Sequence, residues 1–116
     1  MPRPMTGCER WEVVTALFPF TESPVRKPRP VLVLSNGTFN RSHGHVIGCM
    51  ITTGANSRWP SDHQISDLEA AGLSHPSLLR WKVFTLAGYL LGRKIGVLGE
   101  EDQASVTGTL QRIIIS

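Results

Sequence analysis

The sequence predicts a mainly β (α+β) fold, a small, curled, mostly antiparallel barrel of five to six short strands followed by one C-terminal α-helix. Three observations lead there. Short runs of aliphatic and β-branched residues recur along the chain, bounded by Gly, Pro, Asn or Asp. Apolar residues at helical spacing occur at the end of the chain, past Glu100. The length, 116 residues, suits one core and is short for two. Residues 1–116 therefore read as one domain, with residues 1–9 as a loose N-terminal arm.

The first strand is expected in "EVVTALF", residues 12–18, stopped by Pro19. A turn-rich, exposed segment, "PFTESPVRKPRP", leads to "VLVLS", residues 31–35, a short apolar run of the kind seen in a buried strand. "NGTFNRSHGH" supplies turn residues, and "VIGCMITT", residues 46–53, reads as a third buried strand. A short strand is expected over 63–66, then a helical turn in "DLEAAGL" ended by Gly72. "SLLRWKVFTL" and "YLLGRKIGVL" give two more strands, with Gly88, Gly92 and Gly96 marking bends or bulges. Glu100, Glu101 and Asp102 place negative charge at the start of the final helix, and Val106, Leu110, Ile113 and Ile114 share one of its faces.

Composition narrows the function. With 41% hydrophobic and 18% charged residues the chain is neither disordered nor membrane-like in composition. The start, "MPRPMTGCERWEVV", lacks a signal-peptide apolar block, and no segment approaches the roughly 20 apolar residues of a membrane span. A cytoplasmic protein with no membrane partner is expected, and its two cysteines, Cys8 and Cys49, as reduced thiols. Net charge is +3, with basic residues grouped at Arg26, Lys27 and Arg29, at Arg93 and Lys94, and around Arg58. Such a surface attracts phosphate backbones without reading sequence.

Several chemistries have no foothold. His43, His45, His63 and His75 fall in no zinc-ligand spacing with the cysteines, and no HExxH or CxxC occurs, so no metal site is expected. A nucleophile elbow and a glycine-rich phosphate loop are also missing from the sequence.

The charged entrance to the second strand is different. Pro28 and Pro30 bracket Arg29 and stiffen the backbone on both sides of it, and Pro30 pushes Arg29 toward an extended conformation. A pre-set arginine loses less freedom when it clamps an anion. The simpler local reading is a solvated arginine at a strand start, and the residues alone leave both open. Thr52 and Thr53 end the third strand. If that strand pairs antiparallel with the second, Arg29 and Thr52 face one pocket. Arg80 and Lys82 stand two apart in a strand and so point to one face, either a solvated one or part of a phosphate-binding surface. Trp59, Trp81 and Phe39 accompany this basic set, as packing residues or as surfaces on which bases stack.

Taken together, "VVTALFPFTESPVRKPRPVLVLSNGTFNR", "VIGCMITT", "PSLLRWKVFTL" and "GRKIGVLGEED" resemble the PemK/MazF family of bacterial toxin endoribonucleases, from about residue 10 to 115. The resemblance implies an SH3-like barrel, a homodimer, a cognate antitoxin whose extended tail covers the active site, and cleavage of single-stranded messenger RNA with no cofactor or metal. It implies catalytic roles for Arg29, Thr52 and Arg80; Arg26, Lys27, Thr53, Arg58 and Lys82 are expected, from their own charge and position, to contact RNA beside them. It also exposes departures. Lys82 stands where the PemK branch has an aspartate that serves as acid or base, and Trp11 and Glu12 replace a glycine and an aspartate. With that aspartate missing, His43 or His45 becomes a candidate general base, since imidazole titrates near neutrality. Two other readings keep the fold: a binding toxin of the gyrase-poisoning kind, whose C-terminal Trp-Gly-Ile anchor is replaced here by "RIIIS", and an inactive RNA- or antitoxin-binding member.

Overall fold

The computed structural model describes residues 8–18, 27–53 and 58–116. Among them, six strands form one sheet: β1 (Glu12–Ala16), β2 (Arg29–Val33), β3 (His45–Thr53), β4 (His63–Gln64), β5 (Ser77–Ala87) and β6 (Leu91–Val97). The order is β4-β5-β3-β2-β1-β6, and every pairing is antiparallel. Helix α1 (Gly37–His43) links β2 to β3, and α2 (Glu100–Leu110) follows β6. The mainly β, antiparallel fold with a terminal helix is as the sequence predicts. The sheet curls but does not close, because β4 and β6 remain its edges among the described residues.

The unbroken run of β2 is explained by burial on both faces. Leu32 joins Val13, Cys49, Leu79 and Trp81 in a core that Leu98 and Val106 of the C-terminal region cover. Val31 and Val33 point the other way, into a second core with Val14, Val46, Leu86 and Leu91. Alternate residues of one strand therefore feed two cores. Cys8 and Cys49 form no disulfide and lie one in each core. Cys8 is fully buried and its carbonyl accepts a hydrogen bond from Asn40. Residues 1–7 of the expected arm lie outside the described residues.

Two expectations need correction. The segment read as turns after the second strand is helix α1. Asn36 caps it by accepting from the Phe39 N–H at 2.9 Å, and Gly44 ends it at φ 62°. Both signals stand in the sequence, but the helix has only seven residues and no apolar period to announce it. The expected negative charge at the start of α2 is present, and one of its members, Asp102, is buried. Second, the apolar face of α2 stops at Leu110. Val106 is buried and Leu110 packs on the core, but the next residues, Gln111–Ile115, form a π-helical turn. That change of winding turns Ile113 and Ile114 outward, leaving them more than half exposed.

The expected turn ending at Gly72 is present, with Gly72 at φ 74°. A side chain there would strike the Ile95 carbonyl. Trp11 is the less expected case, because it also has a positive φ, 76°. Its N–H donates to the Val33 carbonyl and its own carbonyl accepts from the Leu98 N–H, each at 2.8 Å. The bridge between β2 and the start of α2 fixes this backbone, and the left-handed region costs a non-glycine residue about 1–2 kcal/mol. That is the position where the PemK/MazF resemblance implies glycine. Comparing two variants that both lack the indole isolates the backbone effect. Trp11→Gly is expected to be more stable than Trp11→Ala by about 1 kcal/mol in urea denaturation, reversing the usual order of these residues. Equal or inverted stabilities would show that the backbone is not strained here.

Candidate active site

Arg29 opens β2 and is exposed. The strand pairs with β3 so that Val31 lies opposite Met50 and Val33 opposite Gly48. Carried two residues further, the same register sets Arg29 opposite Thr52. Directly opposed side chains share a face, with Cβ atoms about 5 Å apart. Both residues line one groove of about 570 Å³, together with Thr53 and Lys82 and an apolar wall that includes Phe18, Met50 and Phe84. Pro30, also in the groove wall, pairs with Thr15 of β1, so the arginine is fixed by the sheet as well as by its prolines.

A bulge delivers Lys82. Along β3 and β5 the register runs from Cys49 opposite Val83 to Met50 opposite Arg80, leaving Trp81 and Lys82 unmatched. The extra residues let Trp81 turn into the core and Lys82 into the groove. The Cys49 thiol donates to the Arg80 carbonyl at the bulge, at 2.9 Å. Burial pushes that thiol up to about 12, so it carries no nucleophilic role at neutral pH.

Arg80 differs from the expectation of a surface cation. It is 8% exposed and does not line the groove. Its Nε and a terminal guanidinium nitrogen donate to the two oxygens of Asp62, at 3.1 and 2.8 Å. These hydrogen bonds from Arg80 hold the Asp62 carboxyl below the usual carboxylate range, against the upward pull of burial, with help from the Trp59 N–H. Asp62 in return raises the affinity of Arg80 for its proton. Where the resemblance implies an aspartate two residues past Arg80, a carboxylate thus reaches Arg80 from another loop. Sequence reasoning missed Asp62. The available signal was Pro60 in "WPSD", a turn closed by the Asp62 N–H on the Trp59 carbonyl at 3.0 Å.

The remaining candidates spread out. Lys27 and Arg58 are exposed outside the groove lining, and Arg26 lies outside the described residues. His43 stacks on Phe39, with ring centroids 4.5 Å apart, and His45 Nδ1 contacts the His43 carbonyl. Neither reaches the groove. Thr52 stands seven residues beyond His45 on β3, roughly 23 Å away at about 3.3 Å per residue. The histidine candidates for general base are therefore not brought to Arg29 within this chain. Among the described residues no cluster of His, Cys, Asp and Glu is arranged to hold a metal ion.

Residues 9–114 match the model of the PemK-like, MazF-like toxins of type II toxin–antitoxin systems. The chain belongs to this family. Among solved structures, this PemK/MazF-like chain resembles MazF from Deinococcus radiodurans at 19% identity and a TM-score of 0.72, over 94% of this chain and 97% of that one. The Mycobacterium tuberculosis toxin MazF-mt6 is 23% identical with a TM-score of 0.67, over 87% and 93% of the two chains. A mycobacterial endoribonuclease in complex with its cognate antitoxin gives 17% and 0.71, over 91% and 93%. At these identities the likeness establishes the fold. No curated protein sequence matches the chain.

Proposed function

We propose that this PemK/MazF-like toxin is an endoribonuclease that cleaves single-stranded messenger RNA without a metal, leaving 2′,3′-cyclic phosphate and 5′-hydroxyl ends and so inhibiting translation. The observation that carries the reading is the meeting of Arg29, Thr52, Thr53 and Lys82 in one groove. The ribose 2′-oxygen attacks its own 3′-phosphorus, the bond to the 5′-oxygen breaks, the 2′-proton passes to solvent and the leaving oxygen gains one. Negative charge grows on the phosphoryl and leaving oxygens in the transition state. Donors held in place for that charge supply most of the acceleration. Arg29 clamps the phosphoryl oxygens through its planar fork, and Thr52 adds a neutral hydrogen bond. Arg80, held by Asp62 outside the groove lining, supports the strand that carries Lys82 and does not touch the phosphate in this scheme. Thr53, Lys82, Lys27, Arg58 and Arg26 draw in the chain by charge and hydrogen bonding.

A cognate antitoxin lays an extended segment over the same groove, a reading supported by the antitoxin complex among the similar structures. A homodimer is supported by the apolar strip formed by Leu34, Phe39, Ile47, Val83, Leu110 and Ile114.

Purified full-length chain, incubated with a defined RNA in EDTA, is expected to release fragments ending in cyclic phosphate. Thr52→Val, which keeps the shape and removes the donor, is expected to slow single-turnover cleavage about 100-fold. Intact RNA after prolonged incubation of antitoxin-free wild-type protein would reject the enzyme in favour of a binding toxin.

A further inference from the structure

We propose that Trp59 is a stacking platform for one nucleobase of the bound RNA, set in position by Asp62 and Arg80; this rests on the ribonuclease reading above. Of the tryptophans, Trp81 is buried and Trp11 packs against the core, whereas Trp59 is 38% exposed. Its placement is nevertheless fixed from several sides. The Trp59 N–H donates to Asp62 Oδ2 at 3.0 Å, and the Asp62 N–H donates back to the Trp59 carbonyl at 3.0 Å. The same carboxylate holds the Arg80 guanidinium, whose central carbon lies 5.4 Å from the centre of the Trp59 ring. The Trp59 backbone, the carboxylate and the guanidinium thus form a closed unit, and the guanidinium also lies beside the ring.

Lys82 joins this unit to the groove. Its Nζ lies 5.8 Å from the Trp59 ring centre, and its side chain lines the groove with Arg29 and Thr52. A strand whose phosphate sits at Arg29 therefore passes a lysine and then a fixed, part-exposed indole. With Arg80 offset by Asp62, Arg58 and Lys82 leave a net positive charge here that favours a polyanion over an uncharged peptide. Every base offers a π face, so such a platform binds without selecting sequence. Asp62 is a positioning residue in this scheme, because it touches the ring's backbone and its cation rather than the RNA.

The test uses the full chain and a randomised single-stranded 2′-deoxy oligonucleotide, which lacks the attacking hydroxyl and stays uncleaved. Anisotropy titrations compare wild type, Trp59→Leu and Trp59→Phe, with thermal melts confirming that each is folded. Trp59→Leu is expected to weaken binding about tenfold or more, and Trp59→Phe only about twofold to threefold, since it keeps an aromatic face. The dependence of affinity on salt is expected to stay at the wild-type slope, because no phosphate contact is removed. Wild-type affinity in Trp59→Leu, or a flattened salt slope, overturns the stacking role while leaving the ribonuclease reading standing. Unchanged oligonucleotide affinity with weakened binding of an antitoxin-tail peptide reassigns the ring to a protein contact. Failure of the wild-type chain to bind the oligonucleotide overturns the RNA reading itself.

Discussion

Arg29→Ala is expected to lower single-turnover cleavage of single-stranded RNA by two to three orders of magnitude while leaving the fold unchanged. The side chain is exposed, and its strand is held by backbone pairing to β1 and β3 and by Val31, Leu32 and Val33 in the cores. Removing the guanidinium therefore costs little stability. The loss falls on the transition state, where one pre-set donor to a developing oxyanion is worth about 10² to 10³ in rate. Arg29→Lys is expected to fall between the two, because it keeps the charge but loses the planar, two-pronged contact. The checking measurements are cleavage rates in EDTA and melting temperatures on the same preparations. Cleavage by Arg29→Ala at the wild-type rate would remove this residue from the mechanism and the groove from the active site.

Asp102→Ala is expected to produce the largest loss of stability, about 3 kcal/mol. The Asp102 side chain is inaccessible to solvent, and it accepts three hydrogen bonds: from the Ser66 N–H at 2.9 Å, the Asp67 N–H at 3.0 Å and His63 Nε2 at 2.7 Å. It ties the loop after β4 to the first turn of α2. Deleting it leaves those donors facing a void, and each buried donor left unsatisfied costs about 1–3 kcal/mol. For a chain of this length the melting temperature is expected to fall by roughly 12 °C.

The acid limb of stability follows from the same carboxylate. Burial alone would raise the Asp102 pKa, but the Asp67 and Ser66 N–H groups and His63 outweigh it and hold the carboxyl below its usual range. A carboxylate whose folded value is depressed stabilises the fold fully above its unfolded value, about 3.9, and loses that contribution as pH falls through the lower folded value. Asp62, also depressed by its Arg80 hydrogen bonds, adds to the same window. Denaturation followed from pH 7 downward is therefore expected to show the gap between wild type and Asp102→Ala closing only below about pH 4. A gap that is already closed at pH 6 would mean that another group governs the acid limb.

These two residues show where sequence and structure divide the information. Arg29 was visible as a candidate because proline acts locally: Pro28 and Pro30 restrict its backbone whatever the rest of the chain does. The strand content was legible for a similar reason, since burial of β2 and β3 on both faces demands continuous apolar runs. Helix α1 was hidden because its seven residues carry caps without a periodic face. The sequence placed Asp102 in the first turn of the final helix but did not show its burial, because an acidic residue there is ordinarily solvated. Its burial depends on His63 and the Ser66–Asp67 backbone, far away in the chain.

By itself, then, the sequence determined that this chain is a small antiparallel β domain with a terminal helix, and it marked Arg29 and Thr52 as a possible pair. Those inferences rest on local chain stiffness and on the two-residue period of strands. Only the tertiary structure decided which charges share a surface. The β2–β3 register set Arg29 across from Thr52, a bulge in β5 sent Lys82 into the groove, and Asp62 drew Arg80 out of solvent beside Trp59. Register shifts and long-range ion pairs arise from contacts between segments distant in sequence, and no local pattern of residues encodes them.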